Sequence, residues 1–578
     1  MANELTSTLP SDLQSKYDQA AQAWEKNGNT KKLWNRDASL WTNDDEGDWL
    51  GWLDIVERQQ KDLDTFHSLT DEMKSAGFAS ALLLGMGGSS LCPEVLAITF
   101  GKQNGSPVLH ILDSTDPAEI RDRQNAIDLA KTVFIVSSKS GSTLEPNILK
   151  QYFFEEVKKA VGADKVGQHF IAITDPGSKM ERVAKADKFR HVFYGDKQIG
   201  GRYSALSNFG IVPAAIMGLD VKRLLADAQT AVEAAKNESV EANAGVKLGL
   251  ILGAAANAGR DKITFFTSPE IYDLGAWFEQ LIAESTGKQG KGITPVDREH
   301  IAEPSHYGND RIFAYVRLEG DANADLDAQV EALEKAGQPV VRLHLKDKYG
   351  IAQEFFTWEI ATAVAGSVIG INCFNQPDVE ASKIEARRLT DEYEETGKLT
   401  ERTPIFSSGD DGQGIKIIAS KKYAAVLNKS AGDKPDFDAL IKAHLDQIKP
   451  GDYFAVLAYL NMTEEHEDAI QYFRHEVRGA KKVATCLGFG PRFQHSTGQD
   501  YKGGPNTGVF IQITADHPQD LQVPDQKYTF GVVIAAQAAG DLTVLEQRDR
   551  RVIRVHLGAD VKGNLKKLSD AVEKALVA

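Results

Sequence analysis

The chain has 578 residues, 42% hydrophobic and 26% charged, an ordinary globular balance that can fill several cores. Lys and Arg number 66 against 82 Asp and Glu, a formal charge of −16. That argues against nucleic acid or an anionic membrane as the main partner, and any phosphorylated ligand must be held by a local pocket.

Cys92, Cys373 and Cys486 lie far apart without a CxxC, which excludes a disulfide framework or zinc ribbon, and no metal or cofactor is expected. The opening residues are polar, with no apolar leader. Apolar runs such as Leu248–Ala256 are too short to cross a bilayer. A cytoplasmic protein is expected.

Residues 1–75 carry Leu and Trp at helical spacing among polar residues and read as a helical preface. Alternation then begins. Short β-prone runs, Ala81–Met86, Val108–Leu112, Val133–Ser137 and Phe170–Thr174, are separated by amphipathic stretches such as Pro146–Val161. A long Ala-rich helical passage, Val221–Ala258, precedes a second cycle through Ile263–Phe266, Arg311–Val316 and Val340–Leu345. After a Gly- and Asp-rich linker, Gly409–Gly414, a third cycle runs through Phe454–Leu460, Val483–Leu487, Val509–Thr514 and Val552–Val555. Repeated strand–helix alternation predicts an α/β protein built of tandem sandwiches, parallel sheets flanked by helices. The expected divisions are 1–75, 76–240, 241–390 and an appended α/β domain at 391–578.

Two loops carry phosphate-binding chemistry. The first strand runs into Gly85-Met86-Gly87-Gly88-Ser89-Ser90, whose glycines admit close backbone approach at a helix start with free N–H groups. Asp113, ending the next strand, keeps a dinucleotide reading open, although Ser90 stands where that fingerprint wants glycine. The second loop, Ser138-Lys139-Ser140-Gly141-Ser142-Thr143, precedes a helix and gathers more hydroxyls than one N-cap needs.

That loop, continued through Leu144 and Glu145, resembles the phosphosugar loop of SIS (sugar isomerase) domains. Gly200-Gly201-Arg202-Tyr203-Ser204 is similar to one signature of the glucose-6-phosphate isomerases, and Gly366 through Lys383, with its Phe374-Asn375-Gln376 and Val379-Glu380 ending, resembles their second. The motifs fall in family order between residues 80 and 390, and the whole chain looks most like the isomerase half of bifunctional transaldolase/glucose-6-phosphate isomerases. The resemblance implies tandem SIS sandwiches and interconversion of glucose 6-phosphate and fructose 6-phosphate through a cis-enediolate, with a homodimer compatible but not needed. Two alternatives stay open: a sugar-phosphate-binding regulator without turnover, and an isomerase acting on both glucose and mannose phosphates.

Aldose–ketose isomerisation needs a base between C1 and C2, a cation at the developing oxyanion, a ring-opening group and a phosphate anchor. The resemblance places the base at Glu284, in Glu284-Ser285-Thr286-Gly287-Lys288. Helical phasing puts Glu284 beside Trp277 at the flank of an apolar face, with Gly287 expected as a left-handed cap. It places the oxyanion cation at Arg202 beside Gly201. The phosphate falls to Gly87, Gly88, Ser89, Ser138, Ser140, Thr143 and Gln376, with Glu145 in support and Lys139 on the pocket wall. Lys383, a natural i,i+3 partner for Glu380, takes part in ring opening by the same resemblance. The ring-opening His is ambiguous, because the longer enzymes' G-Q-H motif is absent. His300, His306 and His495 are candidates. We expect the appended domain to fold over the sugar site as a lid, presenting His495 in cis with Lys502 near the substrate.

Overall fold

The computed structural model describes residues 2–409, 414–432 and 435–577. Most of the linker expected at Gly409–Gly414, residues 410–413, lies outside the described residues. The chain forms two compact units. One gathers residues 1–113, 122–286 and 312–375; the other gathers 114–121, 287–311 and 376–578.

The first unit contains a five-stranded parallel sheet in the order Val108–Leu112, Ser80–Leu84, Thr132–Ser137, Phe170–Thr174, His191–Tyr194. Its central strands are buried on both faces, which is why they read as unbroken apolar runs. The order reverses between Ser80–Leu84 and Thr132–Ser137, and Leu84 pairs with Val136. The loops leaving these two strands therefore emerge side by side at the carboxyl edge, where open α/β sheets leave a crevice for ligands.

The strands of the second cycle also belong to this unit, in the order Glu4–Thr8, Val340–Leu345, Arg311–Leu318, Lys262–Thr267. Glu4–Thr8 corrects the all-helical preface: it adds antiparallel to Val340–Leu345 as an edge strand. The expected Val221–Ala258 helix is in fact two, Val221–Ala235 and Ala244–Asn257. The second is started by Asn243, whose side chain accepts from the Val246 N–H at 3.1 Å.

The second unit is built on a six-stranded sheet, ordered Phe406–Ser407, Lys416–Ile418, Arg551–His556, Gly508–Thr514, Tyr453–Tyr459, Ala484–Phe489, of which the last four are parallel. One face packs an aliphatic core with the helices Phe437–Leu445, Glu464–Lys481 and Val561–Val577. The other is covered by the helix Phe530–Gln547, on which Pro377–Thr396 packs in turn. Among the described residues, no helix is long and apolar enough to cross a membrane and no group of three or more His, Cys, Asp or Glu is placed to hold a metal. The three cysteines are buried and free.

Candidate active site

In the first unit the two glycine motifs meet backbone to backbone. A Cβ at Gly88 would lie 1.9 Å from the Gly201 carbonyl oxygen. Glycine at 88 therefore serves this loop–loop approach, and the approach fixes where Arg202 begins. Gly200 and Gly201 face open space instead, where a Cβ would meet nothing within 4 Å.

Arg202 is buried, and a wide-ranging set of partners aims its guanidinium. Nε donates to Ser285 Oγ at 2.7 Å, and Nη2 donates to the Cys373 carbonyl and, at 3.0 Å, to that of Asn375. Nη1 then approaches Glu284 Oε1 at 3.4 Å. The other carboxylate oxygen of Glu284 accepts from Gln280 Nε2 at 3.1 Å, one turn back on the helix Leu274–Thr286. Glu284 is 9% exposed, so the base expected at the flank of an apolar face is a nearly buried carboxylate beside a fully buried guanidinium. Tyr203 backs the pair: its hydroxyl accepts from Ser285 Oγ at 3.3 Å, its ring stacks on Trp52 with centroids 5.2 Å apart, and burial pushes its phenol well up. Ser285 and Gln280 escaped the sequence reading. Gln280 carried a readable signal, its i,i+4 spacing to Glu284.

The hydroxyl loop sits at the neighbouring strand end. The Thr143 side chain does not cap the helix Leu144–Val161. Ser140 Oγ and Thr143 Oγ1 lie 3.5 Å apart, and Ser138 Oγ is buried without a hydrogen-bond partner. Gly141, at φ +67, must be glycine, since a Cβ would crowd the Met180 nitrogen at 2.7 Å. Ser89 is buried in the first loop and Glu145 in the first turn of the helix. Lys139 is turned to the strand ends: Nζ pairs with Asp175 Oδ2 at 2.5 Å and donates to the Asp196 carbonyl at 2.9 Å. Asp113, the residue that kept a dinucleotide reading open, is buried and accepts from Ser90 Oγ at 3.1 Å. A ribose-binding acid would have to face outward.

In the second unit Pro377 opens the helix carrying Lys383, as its sequence predicts. Lys383 Nζ pairs with Glu380 Oε1 at 2.9 Å, both side chains substantially exposed. Gln376 sits at the N-cap position without a side-chain cap bond, and the cap comes from Gln499. Gln499 Oε1 accepts from the Asp378 and Val379 N–H groups at 3.0 and 3.2 Å. Its Nε2 donates to the Gly287 carbonyl at 2.9 Å and to Asp378 Oδ2 at 2.8 Å. Gly287 corrects its expectation. It is absent from the left-handed residues, and a Cβ there would lie 2.3 Å from the Asp500 Cα, so glycine is needed for close backbone approach.

His495 ends the turn Arg492–His495, half-buried, and this turn packs against the Lys383 helix. The segment continues as the buried helix Gly498–Gly503. His306 lies at the end of the turn Pro304–His306, which packs on Glu464–Lys481 instead, and its Nδ1 is buried and unbonded. His300 stacks on His475 at 4.5 Å, and burial together with Arg474 and Arg478 pushes His475 down to about 3. Lys502 is 1% exposed and its Nζ pairs with Asp541 Oδ1 at 2.6 Å, an internal ion pair.

A family model described as Phosphoglucose isomerase matches residues 54–309. The glucose-6-phosphate isomerase of Rubrobacter xylanophilus is 30% identical over 376 residues, spanning 56% of this chain and 86% of its own. The probable glucose-6-phosphate isomerase of Methanococcus maripaludis is 27% identical over 371 residues, spanning 58% and 82%. Among solved structures, a hypothetical protein from Thermus thermophilus superposes with a TM-score of 0.56 at 27% identity, covering 66% of this chain and 99% of that one. A glucose-6-phosphate isomerase from Chlamydia trachomatis, 20% identical with a TM-score of 0.50, covers 64% and 78% and shares the fold. The chain belongs to the phosphoglucose isomerase family of enzymes.

Proposed function

We propose that the protein interconverts glucose 6-phosphate and fructose 6-phosphate, with Glu284 moving one proton between C2 and C1. The observation that carries this reading is the 3.4 Å approach of Arg202 to Glu284 in a nearly water-free setting. The Glu284 carboxylate removes the C2 proton of the open-chain aldose and the electron pair passes to the C1 oxygen as the cis-enediolate forms; the C2 hydroxyl proton then moves to the C1 oxygen, the C2 carbonyl forms, and the carbon-bound proton returns from Glu284 to C1. Arg202, permanently charged, stabilises the enediolate oxygen. The phosphate is held by Ser89, Ser138, Ser140 and Thr143 around Gly87 and Gly88, with Glu145 behind the loop and Gln376 contributing from the second signature. The relatives' printed names and the hydroxyls not spent on capping support that assignment.

Ring opening is assigned to His495 with Lys383. What supports His495 over His306 is internal to the second unit: the 492–495 turn packs on the Lys383 helix, and Gln499, four residues on, caps that helix. We place the enzyme in the cytoplasm, consistent with its free buried cysteines.

The test is a coupled assay on Glu284→Gln. We expect kcat to fall by about 10²–10⁴-fold with KM little changed, the scale of losing a general base. Wild-type kcat would remove Glu284 from the mechanism. His495→Ala and His306→Ala compared on ring-closed and open-chain substrates separate the two histidines: only the ring opener recovers when the ring is already open.

A further inference from the structure

The second unit has a cavity of about 160 Å³ at the carboxyl edge of its sheet, lined by Tyr459, Thr514, His517, Arg554, His556 and Ile534 of the covering helix. Strand register explains its polar floor. Tyr459 pairs with Thr514 and Thr514 with His556, so the three side chains share one face, and Gln512 and Arg554 stand one row deeper on it. The carboxyl ends of parallel strands are where such sheets take ligands.

Arg554 is held in one plane. Its Nε donates to Gln512 Oε1 at 2.6 Å, and Gln512 is itself pinned through Nε2, 3.1 Å from both the Ala538 carbonyl and Asp541 Oδ2. Its Nη2, however, is sealed from solvent and has no hydrogen-bond partner. Arg402 stands near it. Burial and this second guanidinium push Arg554 down to about 10, so it is still charged at neutral pH. Arg402 Nη2 donates to both oxygens of Glu546 at 2.8 Å, yet its Nη1 is also buried and unbonded.

The surrounding acids are already engaged. Asp541 pairs with Lys502, Glu546 with Arg402, Asp516 with His556 at 3.2 Å, and Asp116 faces His517 at 3.8 Å. Two neighbouring guanidiniums, each with a buried N–H unspent, are an expensive arrangement for the protein alone. Arg554 lines the cavity, where an anion with several acceptor oxygens matches its fork, and Arg402 adds positive charge nearby. The row Tyr459–Thr514–His556 adds hydroxyl and imidazole groups at the same edge.

We propose that this cavity is a second anion site, separate from the 85–90 and 138–143 loops, which binds a small free phosphate-bearing metabolite through Arg554, with the charge of Arg402 nearby. The experiment uses the full chain with inorganic phosphate as probe, followed by equilibrium dialysis. We expect a saturable phosphate that Arg554→Gln abolishes and Arg402→Gln weakens at least tenfold, while Ser138→Ala combined with Thr143→Ala leaves it in place. Isomerase kcat should stay at the wild-type level in both arginine variants. Arg402, 29% exposed, supplies the variant that keeps the test open if Arg554→Gln fails to fold, and the unfolding midpoint reports that directly. Phosphate stoichiometry unchanged by the arginine substitutions overturns the site. Malonate binding lost in the same variants, with no phosphate binding, overturns the phosphate assignment.

Discussion

Gly88→Ala tests the geometry that places Arg202. The new methyl would lie 1.9 Å from the Gly201 oxygen and 2.2 Å from its carbonyl carbon, both backbone atoms with no side chain to rotate away. The two loops must therefore part by about 1 Å, and overpacking of this kind costs about 1–3 kcal/mol. Arg202 is the next residue, and its guanidinium is aimed through contacts to Ser285, Cys373 and Asn375 that cannot all follow the loop. A misplacement of about 1 Å at a catalytic group costs up to about 10²-fold in rate. We expect kcat in the coupled assay to fall towards that limit, together with a lower urea midpoint. Gly200→Ala is the control, because its Cβ would meet nothing within 4 Å and its φ of −65° suits any residue. Its midpoint should be that of the wild type. If Gly88→Ala kept both wild-type kcat and wild-type midpoint, the loop contact would not be what positions Arg202.

Two further outcomes are expected. Glu354 is fully buried, accepts from Asn3 Nδ2 at 2.7 Å and Trp358 Nε1 at 3.1 Å, and is raised by burial to about 7. The folded carboxyl keeps its proton where the unfolded one has lost it, so stability falls as pH rises from about 4.5 to about 7 and then levels; Glu354→Gln should abolish this fall of about 3 kcal/mol, read from urea unfolding across that range. Lys502→Met strands the buried Asp541 charge and should cost about 3–5 kcal/mol without raising KM, whereas Lys502→Met with Asp541→Leu should recover most of it; a KM effect in the single variant would restore Lys502 to the substrate.

What the sequence made legible follows burial. Phe170–Thr174 is found at its expected ends, because a strand sealed on both faces must be a continuous apolar run. Tyr453–Tyr459 and Gly508–Thr514 were readable for the same reason. Glu4–Thr8 has no such signal. Its residues alternate between exposed and half-buried, and it is a strand because Val340–Leu345 offers an edge to pair with. Gly287 misled for a related reason. A glycine after a helix suits a left-handed cap, but the 498–503 backbone packs against it.

The site divides along the same line. Motif residues could be named from the sequence, but their orientation comes from partners far along the chain: Arg202 reaches Ser285 across 83 residues and Asn375 across 173. Those partners explain why residue 202 is arginine. Nε is spent on a hydroxyl and Nη2 on two carbonyls, so the plane is fixed before Nη1 approaches Glu284. The approach, at 3.4 Å, is longer than the ~2.7–2.9 Å of a bidentate charge-assisted pair. A bidentate clamp would bind the carboxylate as an ion pair and compete with the proton that the proposed mechanism has it carry. A lysine would bring the charge on a freely rotating stem and collapse onto the carboxylate. The fork held from behind sets positive charge beside the Glu284 carboxylate without closing on it, as the proposed proton transfer, which builds charge on a neighbouring oxygen, requires.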